Sequence, residues 1–166
     1  TQKGKIQFSP EIINISELIT ETLLLLEESA LNKEIKLLLN DEKNLLIKAD
    51  KNMIATVVRN LVSNAIKFTP RVGSIIVKSQ IIVDENNQIF AEISVKDSGV
   101  GIPLEIQSKL FKITENVTTK GTEKETGTGL GLILCREFIK KHNGEIWVES
   151  NVDKGSKFVF RIPISL

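Results

Sequence analysis

The most restrictive feature of this sequence lies between Asp50 and Pro70. Ile54, Val57, Val58, Leu61, Val62 and Ala65 fall there at i, i+3, i+4, i+7, i+8 and i+11. That spacing puts six apolar side chains on one stripe of an amphipathic helix. Asp50 stands where the N-cap belongs. The helix is expected to end near Phe68-Thr69-Pro70, because the residue before a proline is biased away from the helical region. Such a helix must lie on an apolar layer, and its neighbours read as sheet. Gly73 opens a strand over 74–83, residues 84–88 (Asp-Glu-Asn-Asn-Gln) form a turn, and 89–96 is the returning strand.

The remaining segments fit the same plan. Residues 5–15 alternate weakly and are broken by Pro10, so they read as an edge strand or extended arm. Ser16 is the expected N-cap of a first helix over 17–33. Aliphatic runs at 35–39 and 45–49 flank a polar cluster and read as a hairpin. Residues 103–110 suggest a short helix with Pro103 at its start. Residues 112–126 contain only Ile113 and Val117 as aliphatics, and are expected to form a mobile loop. Leu130, Ile133, Leu134 and Phe138 mark a last helix, stopped at Asn143-Gly144. Strands at 145–150 and 156–164 follow, joined by a turn at 151–155. This order lacks strict βαβ alternation. The expected fold is a two-layer α/β sandwich: one mixed, mainly antiparallel sheet with helices on one face.

Length and charge narrow the function classes. A chain of 166 residues suits one core, and no internal repeat or second domain boundary is visible. Lys and Arg number 22 against 21 Asp and Glu, a formal charge of +1 that argues against a dedicated nucleic-acid module. A single cysteine, Cys135, closes no intrachain disulfide, which fits a reducing, cytoplasmic setting. The longest aliphatic run, residues 23–26, is followed at once by Glu27 and Glu28, so no membrane insertion is expected. No signal peptide is visible. The chain begins Thr1-Gln2 without Met, so it reads as a piece of something longer.

Three polar constellations can carry chemistry. Asn60, Asn64 and Lys67 lie at i, i+4 and i+7, on one face beside the apolar stripe. Two amides and an ammonium offer oxygen to a hard cation and a point charge to a phosphate, although the same residues fit a solvated face. In Asp97-Ser98-Gly99-Val100-Gly101-Ile102-Pro103 a carboxylate ends a strand and two glycines follow. The glycines let backbone approach a planar ligand and the carboxylate accepts from an amino group; a plain glycine turn is the alternative. In Gly127-Thr128-Gly129-Leu130-Gly131-Leu132 three glycines open the last helix, leaving N–H groups for an anion. The dinucleotide fingerprint does not fit, because a polar loop precedes the glycines and their spacing is GxGxG.

Taken in order, these segments resemble the catalytic and ATP-binding domain of two-component sensor histidine kinases. Residues 60–69 look like that family's N box, 97–103 like its G1 box, Leu110-Phe111 like its F box and 127–132 like its G2 box. The resemblance runs from about Ile6 to the C-terminus, making residues 1–166 one domain. It implies a Bergerat-type sandwich, shared with HSP90-like, MutL-like and gyrase-like ATPases. It implies ATP and Mg²⁺ as cofactors. Asp97 would bond the adenine amino group, with Gly99, Gly101, Ile102 and Phe68 around the base. Asn64 would be the Mg²⁺ ligand, and Asn60 and Lys67 would serve the phosphates and their transfer. Gly127, Thr128, Gly129, Leu130 and Gly131 would wrap the phosphates. Residues 112–126 would be the ATP lid, with Lys120 or Lys124 supplying a cation.

The resemblance also implies a reaction and partners. The γ-phosphoryl would go to a histidine on a dimerisation/phosphoacceptor helical domain, then to an aspartate of a response regulator receiver domain. The H box that carries such a histidine is absent here; His142 lies outside any such motif and reads as a helix-cap residue. This stretch alone is expected not to phosphorylate itself, and to be monomeric within a homodimeric parent. Cys135, Trp147 and Phe111 read as packing residues. A water-activating ATPase of the wider group would carry Glu at the position of Asn60, and an amide is no general base. An anti-sigma-type serine kinase and a purely regulatory nucleotide-binding module remain as alternatives.

Overall fold

The computed structural model describes residues 7–111 and 131–164. Its elements in chain order are β1 (Glu11–Asn14), α1 (Ile15–Asn32), β2 (Lys36–Asn40), β3 (Leu46–Ala49), α2 (Lys51–Phe68), β4 (Ser74–Val83), β5 (Ile89–Asp97), α3 (Leu104–Gln107), α4 (Gly131–Lys141), β6 (Glu145–Ser150) and β7 (Ser156–Pro163). A five-stranded sheet has the order β2-β4-β5-β7-β6. Only β2–β4 is parallel in it; the other three pairings are antiparallel. The mixed, mainly antiparallel sandwich is therefore as expected.

Strand alternation sorts the sheet into two faces. Ile75, Val77, Ile93, Val95, Phe158, Phe160 and Ile162 are buried in one core with the stripes of α1, α2 and α4. On the opposite face Arg161 stacks over the Phe90 ring at 4.2 Å and lies 5.8 Å from that of Trp147. The α2 stripe is buried throughout, from Met53 and Ile54 to Ala65 and Ile66. Its caps are those read from the sequence: Asp50 Oδ1 accepts from Met53 N–H, and extended Thr69 ends the helix. Asn143 ends α4 with φ +58°, and Gly144 N–H donates to Ile139 C=O.

Two expectations fail. The runs at 35–39 and 45–49 do not form a hairpin. β2 lies parallel to β4, whereas β3 pairs antiparallel with β1 in a separate two-stranded sheet. The intervening loop crosses between the sheets, held by Glu42 N–H on Ser79 and by Ile15 N–H on Leu45 C=O. The N-cap of α1 is Asn14, whose Oδ1 accepts from Glu17 N–H at 3.2 Å. Ser16 lies inside the first turn and donates instead to Glu42 C=O. Residues 112–126 lie outside the described residues. Among those described, no helix is long and apolar enough to cross a membrane.

Candidate functional site

Antiparallel register places Ile75, Asp97, Ser156 and Ser150 opposite one another across four strands. This is the end rung of the helix-facing layer, next to the rung of Val77, Val95, Phe158 and Val148. A polar rung thus closes an otherwise apolar layer where β5 ends.

Asp97 is 5% exposed. Its Oδ1 accepts from Gly99 N–H at 2.9 Å and Ser156 N–H at 3.2 Å. Among the described residues Oδ2 accepts nothing. Burial pushes the Asp97 carboxyl above its ordinary value, and the two backbone N–H groups partly offset this. Its environment therefore holds one oxygen in place and leaves the other to take a donor.

The loop after Asp97 fits tightly against the protein itself. A Cβ on Gly99 would lie 2.3 Å from Phe68 C=O, and Val100 N–H donates to that same carbonyl. Gly101 has φ +76°, and a Cβ there would lie 2.0 Å from Asn151 C=O. The two glycines are thus required by the loop's contacts with the end of α2 and with the turn between β6 and β7, whatever lies beside them. The first of these contacts joins the candidate base end to the C-terminus of α2. There Phe68 is half-buried, Lys67 Nζ lies 5.0 Å from its ring centroid, and the buried Lys33 ammonium donates to Ile66 and Lys67 carbonyls. That ammonium complements the negative end of the helix.

Asn60 and Asn64, both half-buried, lie about two turns and one turn before that end, respectively. Gly131, the first residue of α4, sits against the Asn60 amide, its Cβ direction 3.6 Å from Asn60 Cγ. Further along α4, Cys135 Sγ donates to Val57 C=O at 3.9 Å, tying the two helices together. Cys135 is fully buried and its thiol is pushed up to about 12, so it stays protonated and packed, as expected. Phe111 stands edge-on to Phe158, and its C=O accepts from Arg136. Three stretches far apart in sequence thus converge: the polar face of α2, the end of β5 with its glycine loop, and the start of α4. Lys120, Gly127, Thr128, Gly129 and Leu130 lie outside the described residues.

Among the described residues no group of three or more His, Cys, Asp or Glu side chains could hold a metal ion. The amide oxygens of Asn60 and Asn64 are the donors of the α2 face. They suit Mg²⁺, which usually takes one or two protein ligands and completes its shell with phosphates and water.

Sequence reasoning missed the clamp beneath Asp97. Ser150, Ser156, Gly155 and Gln107 carry no motif of their own. A Gly-Ser pair closing a turn between two strands was the available signal. Gly155 has φ +83°, and a Cβ there would lie 2.1 Å from Asp97 C=O.

A mixed sheet backed by three helices thus carries a buried carboxylate at the end of β5, followed by a glycine loop packed on the C-terminus of α2. Residues 49–166 match the family model of histidine kinase-, DNA gyrase B- and HSP90-like ATPases, and the chain belongs to that family. The adaptive-response sensory kinase SasA of Gloeothece citriformis (strain PCC 7424) is 42% identical over 101 residues, covering 61% of this chain and 24% of that protein. The catalytic domain of histidine kinase ThkA superposes with TM-score 0.78 at 34% identity, over 96% of this chain and 97% of that one. Histidine kinase ThkA in complex with response regulator protein TrrA gives TM-score 0.77 at 32% identity, over 95% of this chain and 42% of that one. The match spans between 12% and 26% of the length of the curated relatives that the chain resembles.

Proposed function

We propose that residues 1–166 form the catalytic and ATP-binding domain of a sensor histidine kinase. In this reading the domain binds Mg-ATP and supplies its γ-phosphoryl to a histidine on a separate dimerisation/phosphoacceptor domain. The histidine nitrogen bonds to the γ-phosphorus as the bond to the β-phosphate oxygen breaks, and ADP leaves. The phosphoryl then passes to an aspartate of a response regulator receiver domain. Kinship to kinases such as SasA, and the ThkA–TrrA complex, support these partners and a cytoplasmic site of action.

The observation that carries the reading is the lopsided environment of Asp97. With Oδ1 taken by two N–H groups and Oδ2 unused among the described residues, the carboxylate is set to accept from an exocyclic amino group. Asn60 and Lys67 face the phosphates, Asn64 supplies the metal's protein ligand, and Gly131 brings the start of α4 onto Asn60. Mg²⁺, held through Asn64, would supply charge neutralisation to the nucleotide's phosphates. The protein's share is positioning and charge, the main terms in phosphoryl transfer. His142 is no candidate for the acceptor. It is buried, Nδ1 donates to Phe138 C=O at 2.7 Å, and Nε2 accepts from Asp50 N–H at 3.0 Å.

The test is nucleotide choice coupled to transfer. Guanine presents an oxygen where adenine presents its amino group, so GTP would set two acceptors against each other. An unsatisfied buried polar group costs about 1–3 kcal/mol, so ATP should be preferred roughly 5- to 150-fold in displacing a fluorescent ADP analogue. With γ-labelled ATP the domain should leave itself unlabelled and label a supplied phosphoacceptor domain. Equal displacement by ATP and GTP, or an acid-labile phosphate on His142, refutes the reading.

A further inference from the structure

We propose that Ser150 and Gln107 are positioning residues that set base selectivity, by fastening the Gly99–Ile102 loop to the clamp that holds Asp97. The proposal rests on the nucleotide reading above and deepens it.

A hydroxyl has one proton to give and two lone pairs to fill. Ser150 Oγ lies 2.8 Å from Ile102 N, 3.0 Å from Gly155 O and 2.8 Å from Ser156 Oγ. One arrangement satisfies all three. Ile102 N–H and Ser156 O–H donate to Ser150, and Ser150 O–H donates to Gly155 C=O. That single side chain therefore joins the end of the glycine loop to both residues that press on Asp97. Gly155 packs against the Asp97 carbonyl, and Ser156 N–H holds Asp97 Oδ1.

Gln107 closes the same joint from the other side. Its Nε2 lies 2.7 Å from Ile102 O and 3.0 Å from Ser150 O. Both partners are carbonyl oxygens, so the side-chain nitrogen must face them, and its two protons serve one each. Ile102 is thus held at N–H by Ser150 and at C=O by Gln107. Between Ile102 and Asp97 lies Gly101, whose backbone is wedged against Asn151. Asp153 N–H donates to Val100 C=O in the same loop. The loop that would flank a base and the carboxylate that would read it are therefore fixed by one shared set of bonds. Neither Ser150 nor Gln107 needs to touch a nucleotide to govern how closely the two are registered.

The experiment compares the parent with Ser150→Ala, Ser150→Thr, Gln107→Leu and Gln107→Glu. Each is titrated with ATP, GTP and inorganic triphosphate against a fluorescent ADP analogue, and each is melted. Gln107→Glu turns a donor pair into an acceptor facing two carbonyls, so it should exceed Gln107→Leu. Ser150→Ala and Gln107→Glu should each weaken ATP about tenfold, the size of one ordinary hydrogen bond, and shrink the ATP-to-GTP ratio in step. Triphosphate displacement should stay within about twofold, and Ser150→Thr should restore the ratio by keeping the hydroxyl. A lowered melting temperature with an unchanged ratio in both variants overturns the proposal. Should Ser150→Ala fail to fold, Gln107→Glu, at a half-buried position on α3, decides alone. A parent that does not prefer ATP over GTP fails the nucleotide reading, which the parent's own titration reports separately.

Discussion

Two aspartates are almost equally buried in this domain, Asp50 at 6% and Asp97 at 5% exposed, yet their surroundings differ in kind. Asp50 is saturated. Oδ1 accepts from Met53 N–H, Oδ2 accepts from Ser9 N–H, and its own N–H donates to His142 Nε2. His142 in turn bonds Phe138 C=O and meets the edge of the Phe8 ring at 4.9 Å between centroids. Asp50 thus ties the N-terminal arm, α2 and α4 together, with a structural partner on each oxygen. Asp97 uses one oxygen for two bonds and keeps the other for something else. Burial of a carboxylate therefore does not mark a site; the distribution of its filled lone pairs does.

The comparison is broken most forcefully at Asp97. In Asp97→Asn the retained Oδ1 can still accept from Gly99 and Ser156, while an NH₂ group replaces Oδ2 and would meet the adenine amino group donor to donor. A hydrogen bond to a charged group is worth about 1.5–3 kcal/mol, so ATP affinity should fall roughly 10- to 150-fold by calorimetry. Stability should be unchanged or slightly raised, because a desolvated charge has been removed and its clamp kept. Guanine nucleotides should lose much less. A variant that binds ATP like the parent would make Asp97 a second Asp50.

Asp50→Ala should give the reverse pattern. It removes an N-cap and the anchor of Ser9, so unfolding stability should drop by about 1–3 kcal/mol. Nucleotide affinity, measured well below the melting temperature, should hardly change. A large loss of ATP binding in a folded Asp50→Ala protein would mean that the two aspartates are coupled through α2, and the contrast would fail.

The sequence made one half of this contrast readable. Local rules found both aspartates: Asp50 as a cap before an apolar stripe, Asp97 as a carboxylate ending a strand before glycines. They also found the β4–β5 turn, where Asp84 Oδ1 accepts from Asn86 and Gln88 N–H groups. What escaped was every feature set by a partner far along the chain. Ser156 N–H reaches Asp97 across 59 residues, and Ser150 reaches Ile102 across 48. Two serines in short strands give no local sign that register will place them beside a carboxylate. β2 and β3 were misread for the same reason. Aliphatic runs flanking a polar cluster look like a hairpin until a third strand competes, and here β4 takes one run while β1 takes the other. Asn14 displaced Ser16 as a cap because helix ends are decided within a residue or two, where several polar side chains qualify. The glycines of 99–101 were found for a ligand's sake, yet their first duty is to let the chain approach Phe68 and Asn151.

The smallest effect, and the sharpest discriminator, is the acid limb of binding. Burial raises the Asp97 carboxyl above the ordinary 3.8. Acceptance of an amino proton belongs to the ionised form, so the Asp97 share of ATP affinity should be complete near neutral pH. It should fade as the pH drops through the raised value, before an ordinary aspartate would titrate. Stability runs the opposite way. A carboxyl whose folded pKa exceeds its unfolded value favours the folded state below pH 3.8 and loses that contribution as pH rises through the folded pKa. Acidification across this window should therefore weaken adenine binding while Asp97 itself adds to stability. The phosphates and the base titrate in the same region, so the readout is the ratio of ADP affinities of the parent and Asp97→Asn, in which those common contributions cancel. The ratio should be constant at neutral pH and fall toward one on acidification, by up to about tenfold per pH unit once below the folded pKa. A ratio that stays flat down to pH 4 would mean that Asp97 is ionised by a donor it already holds, and that Oδ2 is no more available than either oxygen of Asp50.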